Sequence, residues 1–158
     1  MYGVIEYDDL DEDYILVDVR SPGEYLEYTI PNAINIPILD NEERKAVGTV
    51  YRQESVEAAK KLGVKIVSSK LPEIYEKILD LKKTNKSIVL FCERGGLRST
   101  TLFELFNSMG MGLKKLNGGY KGYRNLVNKK LPEINSQKTY LVLHGFTGTG
   151  KTDILKAL

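Results

Sequence analysis

"SIVLFCERGGLRSTTLFELF", residues 87–106, decides the fold. Ser87 to Cys92 is a short apolar run set off by Asn85, which reads as a buried strand. From near Ser99 the pattern changes to a helical one, with Leu102, Leu105 and Phe106 facing inward and Gly110 as the stop. Between the two lies a loop with two glycines and two arginines, directly after the only cysteine of the chain. A buried strand that feeds a helix through a tight loop is a building unit of a parallel sheet.

The neighbouring segments repeat that alternation. "YILVDVR" (14–20) and "INIP" (34–37) read as strands, the second ended by Pro37. Asp40 is placed to cap a helix over "NEERKAVG", closed by Gly48. "YRQESVEAAKKLG" (51–63) has helix-forming composition and a stop at Gly63. "LPEIYEKILDLKK" sets Leu71, Ile74, Ile78 and Leu81 on one face, with Pro72 in the first turn. "LKKL" (113–116) is a short strand, and "NGGYKGYRNLVNKK" (117–130) is a turn followed by a basic helix. The expected architecture is α/β, a central parallel sheet with helices on both faces. Residues 1–130 form this domain, 131–138 a linker, and "TYLVLHG" (139–145) a fresh strand that opens a second unit over 139–158.

Composition limits the function classes. The chain has 158 residues, 42% hydrophobic and 28% charged, as in ordinary soluble domains. No run of about 18 apolar residues is present, so no membrane partner is expected. "MYGVIEYDDLDED" is acidic and lacks the pattern of a signal peptide, which makes the cytoplasm the expected location. One cysteine forms no internal disulfide, and a single histidine, His144, with no ligand spacing elsewhere predicts no metal. Charge is uneven: residues 1–80 carry net −8 and residues 81–158 net +10. Lys114, Lys115, Lys121 and Arg124 follow the cysteine loop closely and are candidate contacts for a polyanion; the plain alternative is a solvated basic helix. Tyr120 and Tyr123 either stack on unpaired bases or pack the last helix onto the sheet.

In the cysteine loop, amides from the loop and the helix N-terminus converge on one spot where the helix dipole favours negative charge. Gly95 and Gly96 permit the backbone angles of an anion nest. Arg94 and Arg98 add positive charge, and Arg98 can grip a tetrahedral oxyanion with two donors. The same field favours a nucleophilic thiolate at Cys92. Cys92, Arg94, Gly95, Gly96, Arg98 and Ser99 are therefore the candidate catalytic set, with Glu93 expected to point outward. The bland reading of Cys92 is an inert core residue. Five residues separate Cys92 from Arg98, and C-x5-R is also the pattern of cysteine phosphatases, which need a general acid such as Asp18 or Glu24.

"VDVRSPGEY" (17–25) followed by "IPNAINIP" (30–37) resembles the first signature of rhodanese-like domains, with "FCERGGLRS" where their cysteine loop stands. "LDNEERKAVGTVYRQESVEAAKKLG" (39–63) and "LNGGYKGYR" (116–124) narrow the resemblance to the tRNA 2-selenouridine synthase family, which joins a rhodanese domain to a P-loop domain. The resemblance implies transfer of selenium, from selenophosphate, to 2-thiouridine at the tRNA wobble position, with Cys92 carrying the chalcogen. It also implies geranyl diphosphate as a co-substrate of the complete enzyme, tRNA as a partner, and no tightly bound cofactor. Asp18 and Arg20 would support the cysteine loop. Glu93 departs from the family, which usually has an aromatic residue there, and Tyr28–Thr29 stands in place of Gly-His.

"GFTGTGKT" (145–152) fits the Walker A pattern, with Gly145, Gly148 and Gly150 shaping the loop, Lys151 for phosphate and Thr152 for Mg²⁺. Only six residues follow it, so it reads as the truncated start of a P-loop domain whose remainder lies in cis or on another chain. The alternatives to selenium transfer are a C-x5-R phosphatase or oxyanion reductase, and a non-catalytic module that docks tRNA or a partner.

Overall fold

The computed structural model describes residues 3–140 and 142–157. The chain divides into two compact units, Met1–Leu126 and Val127–Leu158. The first holds strands β1 (Val4–Ile5), β2 (Tyr14–Asp18), β3 (Ile34–Asn35), β4 (Ser87–Phe91) and β5 (Lys114–Leu116). They form one sheet in the order β1-β5-β4-β2-β3, and every pairing is parallel.

Strand alternation sends successive side chains to opposite faces. Val17, Ile88 and Leu90 face a core built with Ile74 and Ile78 of helix α3 (Val56–Lys82) and Leu102, Phe103 and Phe106 of α4 (Leu97–Ser108). Leu16, Val89 and Phe91 face the other way, where Tyr120 and Tyr123 of α5 (Gly119–Ser136) cover them. The sheet thus carries helices on both faces, as a parallel sheet requires. The short α1 (Pro22–Glu27) and α2 (Asn41–Gln53) follow β2 and β3.

Several local expectations need correction. Gly48 and Gly63 do not stop helices: α2 runs through the first and α3 through the second and through Pro72. A glycine costs a helix about 1 kcal/mol, less than the packed stripe from Ile66 to Leu81 returns. On α4, Leu105 is partly exposed and Phe103 takes the inward place. β1 was not expected, because two residues carry no periodicity. Its ladder, with Lys115 N donating to Gly3 O at 2.7 Å, completes the sheet edge.

In the second unit, residues 131–136, expected as a linker, continue α5 through Pro132. Leu141 of the expected strand 139–145 lies outside the described residues; the other positions form no strand, and Val142 is 79% exposed. A lone strand has no partner for its backbone groups. Helix α6 (Lys151–Ala157) begins within the Walker A-like stretch, at Lys151.

Candidate active site

The site grows from the carboxyl end of β4, the usual place for one in a parallel sheet. Cys92 follows the strand and is 3% exposed. Its Sγ lies 3.2 Å from the Ser99 hydroxyl and 3.8 Å from the Gly96 carbonyl. Ser99 is fully buried in the first turn of α4, where its side chain reaches back beneath the loop. Gly96 caps that helix. Gly95 has φ +64°, and a Cβ there would stand 3.2 Å from Leu116 O. None of the amides from Glu93 to Arg98 donates a hydrogen bond within the described residues. Such a row of unused donors at a helix N-terminus is what an anion needs.

Arg94 is exposed and makes no ion pair among the described residues. Arg98 is instead engaged: its NH1 donates to Glu24 Oε2 at 2.7 Å. That carboxylate also accepts from Ser21 N and Ser21 Oγ, as the third residue of the α1 capping box. Burial alone would raise the Glu24 carboxyl, but the hydrogen bond and charge of Arg98 and the Ser21 donors outweigh it and hold it below the usual range.

Asp18 and Arg20 are both fully buried and form the floor beside the loop. Asp18 accepts from Arg20 N, Nε and NH2 and from Thr29 Oγ1. Arg20 also donates to Tyr28 O at 2.6 Å and to Glu93 Oε2 at 2.9 Å. Glu93 therefore does not point simply outward. It turns back onto Arg20, because a third carbonyl or carboxylate acceptor satisfies the buried guanidinium. Burial opposes the charge on Arg20, yet Asp18 and Glu93 hold its pKa above the ordinary arginine value. The Tyr28 and Tyr120 rings stack at 4.7 Å, with the Arg20 guanidinium 5.1 and 4.7 Å from their centroids. Tyr123 packs on Tyr7 at 4.6 Å. Both α5 tyrosines thus serve the interior.

The four basic candidates separate. Lys115 donates to Thr100 Oγ1 at 2.8 Å and Gly95 O at 3.4 Å, at the loop itself. Lys114, pointing oppositely on β5, pairs with Asp11 at 3.4 Å. Lys121 and Arg124 are exposed on α5, and the Lys121 amide donates to Glu93 O. In the second unit, Lys151 Nζ donates to Gly145 O and Phe146 O at 2.8 and 2.6 Å. Gly148 and Gly150 have φ of +86° and +79°, and Thr152 is exposed.

Sequence reasoning missed two groups. Gly119 abuts the loop so closely that a Cβ would stand 2.1 Å from Cys92 O. The doubled glycine of "NGGY" was its only signal. Arg44 of α2 reaches Glu24 with Nε at 3.6 Å, a contact with no local signature.

The model of the rhodanese-like domain matches residues 6–126. The chain is 35% identical to the tRNA 2-selenouridine synthase of Shewanella halifaxensis, over 90% of this chain and 40% of that protein. It is 38% identical to the enzyme of the same name from a Sulfurovum species, with the same coverage. The chain spans about 40% of the length of these curated relatives. A crystal structure of an N-terminal domain from Clostridium difficile 630 superposes with a TM-score of 0.74 at 43% identity, covering 78% of this chain and 98% of that one.

Proposed function

This chain belongs to the rhodanese-like domain family, and on that footing we propose that it is the chalcogen-handling part of a tRNA 2-selenouridine synthase. It would move selenium from selenophosphate towards 2-thiouridine at the tRNA wobble position, with Cys92 as the nucleophile. The observation that carries this reading is the row of unused amides from Glu93 to Arg98 that directly follows Cys92. A tetrahedral selenophosphate oxyanion fits such a cradle, and Arg94, Arg98 and Lys115 bring cations to its edge. Attack of Sγ on selenium would form an S–Se bond and break the P–Se bond, whose electron pair stays on phosphorus. Phosphorus(V) is thereby reduced to phosphite as sulfur and selenium reach the perselenide level. Attack on phosphorus would instead form an S–P bond and release selenide, which is the phosphoryl alternative.

The names of the relatives support tRNA as the partner, with the anticodon arm meeting the basic side of α5, and support a cytoplasmic setting. Their greater length supports a P-loop domain continuing from the Walker A stretch, where geranyl diphosphate would be used as co-substrate. Among the described residues no helix is long and apolar enough to cross a membrane.

A second reading, a cysteine phosphatase, is favoured by the C-x5-R spacing. It needs a protonated acid beside the leaving oxygen. Glu24 is held as a carboxylate by Arg98 and Ser21, and Asp18 is buried with its oxygens committed to Arg20 and Thr29. Both observations favour the transferase.

Intact mass after incubation with selenophosphate tests the choice. The expected result is a selenium-sized adduct that Cys92→Ser abolishes. A phosphate-sized adduct would transfer the reading to phosphoryl chemistry. An unmodified thiol in the presence of selenophosphate, tRNA and the full-length enzyme would leave the domain a docking module.

A further inference from the structure

We propose that Arg44 of α2 is a second oxyanion-binding residue of the Cys92 site, acting beside Arg98 on a phosphate group of the substrate. The inference rests on the reading of the cysteine loop as an anion site. Its basis is one overcommitted oxygen. Glu24 Oε2 accepts from Ser21 N at 3.1 Å, Ser21 Oγ at 3.0 Å and Arg98 NH1 at 2.7 Å, and Arg44 Nε approaches the same atom at 3.6 Å. Two guanidiniums therefore meet at one carboxylate and leave an excess positive charge there. No acceptor among the described residues takes the other side-chain donors of either arginine. Each keeps most of its fork for a ligand, and a tetrahedral oxyanion is the shape that such a pair fits.

The placement of Arg44 is built rather than incidental. Asn41 Oδ1 accepts from Gly23 N at 2.7 Å, which ties the start of α2 to the start of α1. Asp40 and Glu43 cap α2 reciprocally, and Lys70 of α3 binds both carboxylates. The first turn of α2 is thus fixed from two sides, and Arg44 is the residue it aims at Glu24. At 47% side-chain exposure Arg44 is open to a ligand.

The ligand phosphate has two sources, the small tetrahedral donor or a phosphodiester of the RNA. Alkylation of Cys92 in the full chain by iodoacetamide, under increasing inorganic phosphate, reads the first. Fluorescence anisotropy with labelled tRNA reads the second. For Arg44→Gln we expect about a tenfold rise in the phosphate giving half-protection, with partial recovery in Arg44→Lys, if the small donor is the ligand. If the phosphodiester is the ligand, protection stays and tRNA binding weakens by a similar factor. Unchanged protection together with unchanged tRNA binding overturns the inference. Loss of protection in Arg98→Gln alone, with tRNA binding unchanged in Arg44→Gln, would remove Arg44 and keep the loop as an anion site. Absence of protection in the wild type, with tRNA binding indifferent to Arg44, would remove both.

Discussion

Cys92 follows β4 and Glu24 lies on α1, and each depends on donors that other residues supply. The Ser99 hydroxyl is the one side-chain donor within reach of Sγ among the described residues, at 3.2 Å. Removing it takes a hydrogen bond from Sγ but leaves the loop glycines and Arg98 in place. Ser99→Ala should therefore alkylate several-fold more slowly with iodoacetamide at neutral pH, without loss of the fold. An unchanged rate would mean that Ser99 satisfies only the Gly96 carbonyl, 3.3 Å away. For Glu24 the sign is set by its depressed carboxyl. A group with a folded-state pKa below the unfolded one, which is about 4.3 for glutamate, stabilises fully above that value. The contribution disappears as the pH falls through the folded value. Glu24→Gln should be less stable than the wild type at pH 7, and the gap should narrow in urea melts taken below about pH 4. A gap independent of pH would mean that Arg98 gains nothing from the charge of Glu24. The Asp18–Arg20 pairing and the nearness of Cys92 to Ser99 were legible in the sequence, because each joins residues within ten positions. The contacts of Arg44 and Glu93 were not, because their partners, Glu24 and Arg20, stand 20 and 73 positions away.

The elements that carry these residues were legible where periodicity is long and hidden where packing overrides local preference. β2, β4 and α4 declare themselves by apolar runs and spacing, and they alone bring Asp18, Cys92 and Ser99 to one end of the sheet. Three glycines do different work, and of these only Gly63, expected to stop a helix, misled. Gly63 is tolerated in mid-helix, where a Cβ would meet nothing within 4 Å. Gly95 supplies a positive φ. Gly119 opens α5 at φ +58°, and its missing side chain lets Tyr120 N reach Cys92 O at 2.9 Å. The start of α5 is therefore a wedge that holds the cysteine loop in shape. Gly119→Ala places a carbon 2.1 Å from the Cys92 carbonyl, in a backbone conformation that also disfavours alanine. The expected cost is about 2 kcal/mol or more in chemical denaturation, with slower alkylation of Cys92. Gly96→Ala is the control: φ is −90° and nothing lies within 4 Å of the added carbon, so stability should hold within about 1 kcal/mol. Equal losses in the two variants would deny the wedge.

Across the whole chain, the acidic first half and the basic second half are partly reconciled by the fold itself. Lys114 meets Asp11 and Lys86 meets Asp13, so those lysines are not spare. What remains exposed is a smaller set, of which Lys121 and Arg124 on α5 and Arg94 in the loop make no ion pair among the described residues. Lys121 is joined to the loop through its own amide, which donates to Glu93 O. A polyanion lying along the start of α5 would therefore arrive at the cysteine loop, the direction that the proposed tRNA modification requires. Contacts of this kind release counterions, so their number is readable from salt dependence. The double variant Lys121→Gln/Arg124→Gln should weaken tRNA binding and make the slope of log K against log salt shallower by about 1 to 2. Lys114→Gln, which removes a lysine already paired with Asp11, should alter the slope far less. If Lys114→Gln flattened the slope as much as the double variant, the RNA would have to pass over the Asp11 side of the sheet. If neither changed it, tRNA would be held by other parts of the chain, and the basic face of α5 would be a solvated surface.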